Sequence, residues 1–427
     1  MTELQRFIDE SPLADTHEHQ RKEDKYLNDP FDVLQDLFDN YILAELNVAG
    51  ATKEATERLL NPNDPDIGGR FEAVREAWER CKHTGYGEGV RLIARHVYGL
   101  EELTPEALEA CDAPRRQGDR LRILRGCARL DHIQVDLATY KVEPDPTGPD
   151  FFLYDLSWLQ FAEGKIDYEA LTEDVGVEVR GLDDLDSVME AVFERFAAYS
   201  IAVKTQHAYV RTLRWEDREQ GDVEQALASM RAGSEDKGQQ LALGDWCLSR
   251  GAALCAKHDL PMKIHTGYMA GQGYMDPTWI RSGHLHGLIR KHPGTRFVLM
   301  HTAYPYTDEL VALAKHYPNV YLDLCWAWSM DPFSTAEFVR KTIHAVPSHK
   351  LFGFGGDSWW PNAAYAYSIQ ARKGLAKALQ AEVDDGELTE KEAASLAKRF
   401  MMTNQEECFR TSEKKRVLCA APAGPHG

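Results

Sequence analysis

The stretch "PMKIHTGYMAGQGYMDPTWIRSGHLHGLIRKHPGTRFVLMHTAYPYTDELVALAKHYPNVYLDLCW", residues 261–326, reads strand, helix, strand, helix, strand. Its apolar runs "PMKIH" (261–265), "RFVLMH" (296–301) and "NVYLDL" (319–324) are short and carry β-branched and aromatic residues. The segments between them, 276–292 and 306–316, are patterned as helices. Alternation of this kind builds βα units on a parallel sheet. Working outward, the same pattern predicts strands near 13–17 ("LADTH"), 131–136 ("DHIQVD"), 150–154 ("DFFLY"), 200–206 ("SIAVKTQ") and 350–356 ("KLFGFGG"). Together they make the eight strands that form a (β/α)8 TIM barrel. Further helices are expected over 222–258, 333–345, 361–382 and 388–410.

Between the first and second strands lie roughly 110 residues, far longer than an ordinary βα loop. Segments such as "RFEAVREAWERC" and "GVRLIARHVYGL" give this region, about 20–130, a helical reading, so it is expected to be an insertion over the barrel mouth. Residues 1–415 are read as one barrel domain and 416–427, ending "AAPAGPHG", as a disordered tail. With 43% hydrophobic and 27% charged residues the chain has an ordinary globular composition, and no apolar run is long enough to span a bilayer. The acidic start "MTELQRFIDE" lacks the apolar core of an export signal, so a cytoplasmic location is expected. Eight cysteines without a C-x-x-C pair are expected to be free thiols. A net charge of -19 repels phosphate backbones, which argues against a nucleic-acid partner and for a small-molecule substrate. An apolar face on the insertion would be compatible with a homo-oligomer.

The chemistry begins at "LADTHEHQ", residues 13–20. In a strand, residues i and i+2 point the same way, so His17 and His19 can aim into one site while Glu18 turns away. Alone, such a pair in a chain with 16 histidines carries little weight. Three further donors fall at predicted strand ends: His265 in "MKIHTG", His301 in "FVLMHTAYPY" and Asp357 in "LFGFGGDSWW". Barrel enzymes place their sites on that face, and five convergent donors point to a divalent metal. The "GFGG" before Asp357 lacks the lysine and Ser/Thr of a phosphate loop and is read as tight strand packing.

In these segments the chain resembles the amidohydrolase superfamily, whose barrels carry H-x-H after strand 1, histidines after strands 5 and 6 and an aspartate after strand 8. "HTGYMAGQG", "HTAYPYTDELVALAKHYPNVYLDLCW" and "KLFGFGGDS" are most similar to its amidohydrolase-2 branch, which includes glucuronate-isomerase-like members. The resemblance implies metal ligation by His17, His19, His265 and Asp357, with His301 beside the metal polarising the substrate or acting as a ligand. Histidine nitrogens and one carboxylate suit zinc, manganese or iron, and zinc is the default expectation. Asp357 would additionally shuttle a proton between water and leaving group. Lys204, in the fourth strand, is either a bridging ligand of a second metal or a partner of a substrate carboxylate or nearby acid. Tyr268, Trp326, Trp328, Trp359 and Trp360 are placed to line a pocket, and Arg211 or Arg214 to clamp a carboxylate. The implied function is a metal-dependent hydrolase acting on a small amide, lactone or ester. Uronate-isomerase-like or decarboxylase chemistry on the same metal, and a non-catalytic binding barrel, remain as alternatives.

Overall fold

The computed structural model describes residues 2–271 and 273–421. Nine strand segments run β1 (Leu13–Glu18), β2 (Leu130–Val135), β3 (Phe152–Tyr154), β4 (Leu156–Ser157), β5 (Val203–Thr205), β6 (Met262–Ile264), β7 (Phe297–Leu299), β8 (Val320–Cys325) and β9 (Leu351–Gly355). Each of the eight expected strands is found, the third being divided at Asp155 into β3 and β4. All ladders are parallel, in the orders β1-β2-β3 and β4-β5-β6-β7-β8-β9. Backbone bonds carry the sheet past the division: Asp155 N donates to Val135 O and Leu156 N to Ala202 O. They also join the first strand to the last, Asp357 N donating to His17 O and His19 N to Ser358 O, both at 2.9 Å. The chain therefore has the architecture of a TIM barrel.

The strands are buried nearly throughout, and besides apolar residues they bury polar ones that point towards the site, among them Asp15, His17, Lys204, Lys263 and Asp323. Short helices from Glu23–Asn28 to Asp119–Leu121 fill the chain between β1 and β2. The longest of them, Gly85–Tyr98, beds against Ala327–Met330 and Pro361–Asp384. A Cβ at Gly85 would stand 2.1 Å from Ser329 O, so only glycine permits this approach.

Three expected helices differ. The run 222–258 divides into Gln220–Arg231 and Lys237–Lys257, because Gly233 takes a left-handed turn (φ 82°) and Asp236 caps the second helix at Gln239 N. The run 276–292 shortens to a turn at Ser282–Leu285 and the helix His286–Lys291, since the Asp276 carboxylate holds Thr278 in a local turn. The run 388–410 is Glu390–Lys398, a wider turn at Arg399–Thr403, and Asn404–Phe409. The expected tail also begins too early: Thr411–Ala420 is a helix, anchored by Lys414 Nζ on Ala197 O at 2.8 Å and by Lys415 Nζ on Asp131. The end of that tail, 422–427, lies outside the described residues. Among the described residues no helix is long and apolar enough to cross a membrane.

Candidate metal centre

At the C-terminal end of β1 the two-residue period places His17 and His19 on one side, and the seam between first and last strands brings Asp357 to meet them. Asp357 Oδ1 lies 3.4 Å from His17 Nε2 and 3.3 Å from His19 Nε2. These three donors lie within 4.8 Å of one another, and His301, Cys325 and Asp357 form a second such group that shares the carboxylate. Asp357 Oδ2 faces His301 Nε2 at 3.9 Å. Glycines before Asp357 allow the close approach: a Cβ at Gly356 would meet Glu18 Oε1 at 2.0 Å. Three residues just beyond β7, β8 and β9, namely His301 (φ 63°), Trp326 (φ 64°) and Asp357 (φ 53°), take left-handed backbone conformations that cost non-glycine residues energy and cluster at functional sites.

Hydrogen bonds orient the rings. His19 Nδ1–H donates to Asp136 O at 2.9 Å and His301 Nδ1–H to Cys325 O at 3.1 Å, so each directs its Nε2 towards Asp357. On His17 the Lys204 ammonium stands 3.5 Å from Nε2, which assigns the lone pair to that nitrogen. His265 is not brought up to Asp357 with the other donors. Its ring packs on His301 at 4.3 Å, but its Nε2–H donates to Tyr268 O at 2.9 Å, and it belongs to neither donor group. Lys204 also donates to Gln206 Oε1 at 3.3 Å, so the neighbouring acid proposed as its partner is not what it bonds.

Burial holds the His17 and His265 rings well below the usual histidine range, and the Lys204 charge adds to this at both. Burial likewise lowers His301 to about 4, against the pull of Asp357. At Asp357 burial works upward, but the hydrogen bond and charge of a protonated His19 and the Lys204 charge outweigh it and hold the carboxyl ionised. His19 moves the other way: burial lowers it, yet the Asp357 hydrogen bond and charge raise it overall, so a proton and a cation compete for its Nε2. Burial and the Asp357 charge keep the Cys325 thiol protonated, which leaves it the weakest donor of the set. Imidazole nitrogens converging on one ionised carboxylate fit a zinc, manganese or iron ion, and the unpartnered, buried His301 Nε2 faces the same point.

Above this centre Trp326 packs edge-on against His301 at 5.5 Å and touches Tyr268 at 5.8 Å. Two insertion residues complete the wall, Tyr41 at 4.5 Å and Tyr86 at 6.1 Å from Trp326. Neither was legible in the sequence, because nothing local marks which insertion side chains reach the mouth. Trp359 stacks on His19 at 5.8 Å. Trp328 and Trp360 are structural, their indole N–H groups bonding Gly353 O and Asp39 Oδ2. The expected carboxylate clamp is corrected too: Arg211 is buried against Asp245 and the carbonyls of Ala162, Thr212 and Arg214, while Arg214 is exposed. His19 has 25% of its side chain exposed where His17, His301 and Asp357 are covered, so the centre opens on the His19 side, beside Trp359.

The parallel barrel thus carries a candidate metal centre of imidazole and carboxylate donors at its strand ends, where barrel enzymes place their sites. The sequence profile of the amidohydrolase family matches residues 163–398, more than half of the chain, and the chain belongs to that family. It is 30% identical over 194 residues to protein fluG of Emericella nidulans, a match covering 44% of this chain and 22% of fluG. In structure it is similar to glucuronate isomerase from Caulobacter crescentus (TM-score 0.79, 15% identity, 99% and 95% of the two chains). It is also similar to uronate isomerase from Thermotoga maritima (0.77, 13%, 95% and 96%) and to a proposed metal-dependent hydrolase from Lactobacillus casei (0.68, 17%, 97% and 99%). At these identities the structural likenesses show the fold.

Proposed function

We propose that this amidohydrolase-family protein is a hydrolase that uses one divalent ion, zinc by default, to attack a small amide, lactone or ester with water. One observation carries the reading: the ionised Asp357 has Oδ1 against two imidazole nitrogens and Oδ2 free of them, facing a neutral His301. His17, His19 and Asp357 Oδ1 would hold the ion, with His301 Nε2 adjacent. When bound, the ion supplies Lewis acidity, polarising a carbonyl and acidifying water. Asp357 Oδ2 accepts the proton from the attacking water and returns it to the leaving group. His301 offers a lone pair, so it accepts a hydrogen bond and orients the water; the oxyanion-donor role fits the Lys204 ammonium better.

The test is turnover of a panel of lactones, esters and amides by zinc-loaded protein and its Asp357→Asn variant, alongside D-glucuronate in deuterated water followed by NMR. Hydrolysis that falls about 10³-fold in the variant supports the proposal. Full activity in Asp357→Asn overturns the role of Asp357, and ketose formation from glucuronate with no hydrolysis anywhere in the panel overturns the reaction.

A further inference from the structure

The third strand is the one barrel strand that divides, and it divides at Asp155. This carboxylate is fully buried, with Oδ2 3.8 Å from His17 Nδ1 and 2.6 Å from Lys263 Nζ. Lys263 Nζ also donates to Thr16 O at 2.8 Å and to Gln134 Oε1 at 3.0 Å. One ammonium thus grips the peptide next to His17 and the acid that faces the His17 ring.

We propose that Asp155 is the positioning residue of the metal centre: it fixes the His17 proton on Nδ1, so that Nε2 is presented as a lone pair, and Lys263 fixes Asp155. The proposal rests on the metal-centre reading above and adds to it a group outside the donor set. A histidine can offer Nε2 to a cation only while its proton sits on Nδ1, and a carboxylate facing that proton both selects this form and makes the ring a stronger donor. The two histidines of "HEH" are served differently. His19 is oriented by a backbone carbonyl, Asp136 O, at hydrogen-bond distance, whereas His17 faces the Asp155 carboxyl at 3.8 Å. His17 Nδ1 has no hydrogen-bond partner among the described residues, so on that side of the ring the Asp155 carboxyl favours the proton, as Lys204 favours the lone pair on the other. Lys263 neutralises the acid without reaching the ring's other side, where Lys204 stands.

The experiment is zinc affinity, measured by chelator competition, together with nitrogen NMR of the imidazoles in wild type, Asp155→Asn, Asp155→Glu and Asp245→Asn. Asp155→Asn is expected to weaken zinc binding by about 10- to 100-fold and to mix the two His17 tautomers, with partial recovery in Asp155→Glu. Asp245→Asn removes a buried acid elsewhere and is expected to lower Tm with zinc affinity unchanged. If Asp155→Asn does not fold, Asp155→Asn/Lys263→Met removes both buried charges and is read identically. Tight zinc binding by wild type, matched within twofold by the folded variant with an unchanged tautomer signal, overturns the role of Asp155. Wild type that binds no zinc overturns the metal-centre reading itself.

Discussion

At the scale of single residues, His17, His19, His301 and Asp357 were legible as candidate donors because each sits where a short periodic run ends, whereas Cys325 was not. His17 and His19 follow from the period of two in a strand, and His301 and Asp357 from their places at the ends of β7 and β9. Arg211 was not legible, since its partner Asp245 lies 34 residues on and in a helix. The same pair yields a prediction. Asp245→Ala leaves the Arg211 guanidinium buried without its acid and should destabilise the fold by about 3–5 kcal/mol in urea unfolding, with zinc content per chain unchanged. A second concerns His292, which burial lowers to about 4 and whose Nε2 meets Ser249 Oγ at 2.8 Å. Its folded value lies below the unfolded 6.5, so the unfolded chain takes up the proton first and stability falls as pH drops through 6.5 towards 4. His292→Gln keeps a partner for Ser249 without titrating. Wild type should therefore lose more stability between pH 7 and pH 5 than this variant, as urea unfolding at both values would show.

At the scale of elements, the strands were predicted within a few residues because apolar runs between βα turns have few other homes, whereas helix ends depend on single turn residues such as Gly233 and Asp236. The division at Asp155 left no trace in the pattern, since a buried acid inside an apolar run marks no boundary of its own. The insertion shows the same limit: its helices were expected, but not that "TGYGEG" is a packing surface. Gly85→Ala places a methyl against Ser329 O, and the helix Gly85–Tyr98 must lift away, carrying Tyr86 from Trp326. The expected result is a loss of about 1–3 kcal/mol of stability and a raised KM on any substrate found, measurable together by thermal unfolding and steady-state kinetics. Tyr86→Phe, which keeps the ring and deletes only the buried, unpartnered hydroxyl, should change KM without the loss of Tm.

At the scale of the whole molecule, the candidate metal centre joins the barrel's first and last strands, so an ion bound there would stabilise the closed arrangement and not the unfolded chain. Zinc at one hundred times its dissociation constant should add about 2.7 kcal/mol, and chelation should lower Tm correspondingly, a shift that differential scanning calorimetry would detect. His17→Ala should have a low Tm whether or not zinc is added. Other ties cross the same seam without any ion: Arg372, in Pro361–Asp384, donates to Ile8 O and Ser11 O before β1 and to Ala128 O before β2. Removal of the metal should therefore loosen the barrel mouth and leave the far end of the strands paired.

The bond between Glu18 and Ser358 spans 340 residues of chain. A ribosome adding about 5–20 residues per second needs on the order of 20–70 seconds to travel from one to the other. Throughout that interval the first histidines have neither the carboxylate nor the seam that completes their site. The complete donor set is thereby open to an ion only once Asp357 has been made and the first and last strands have met.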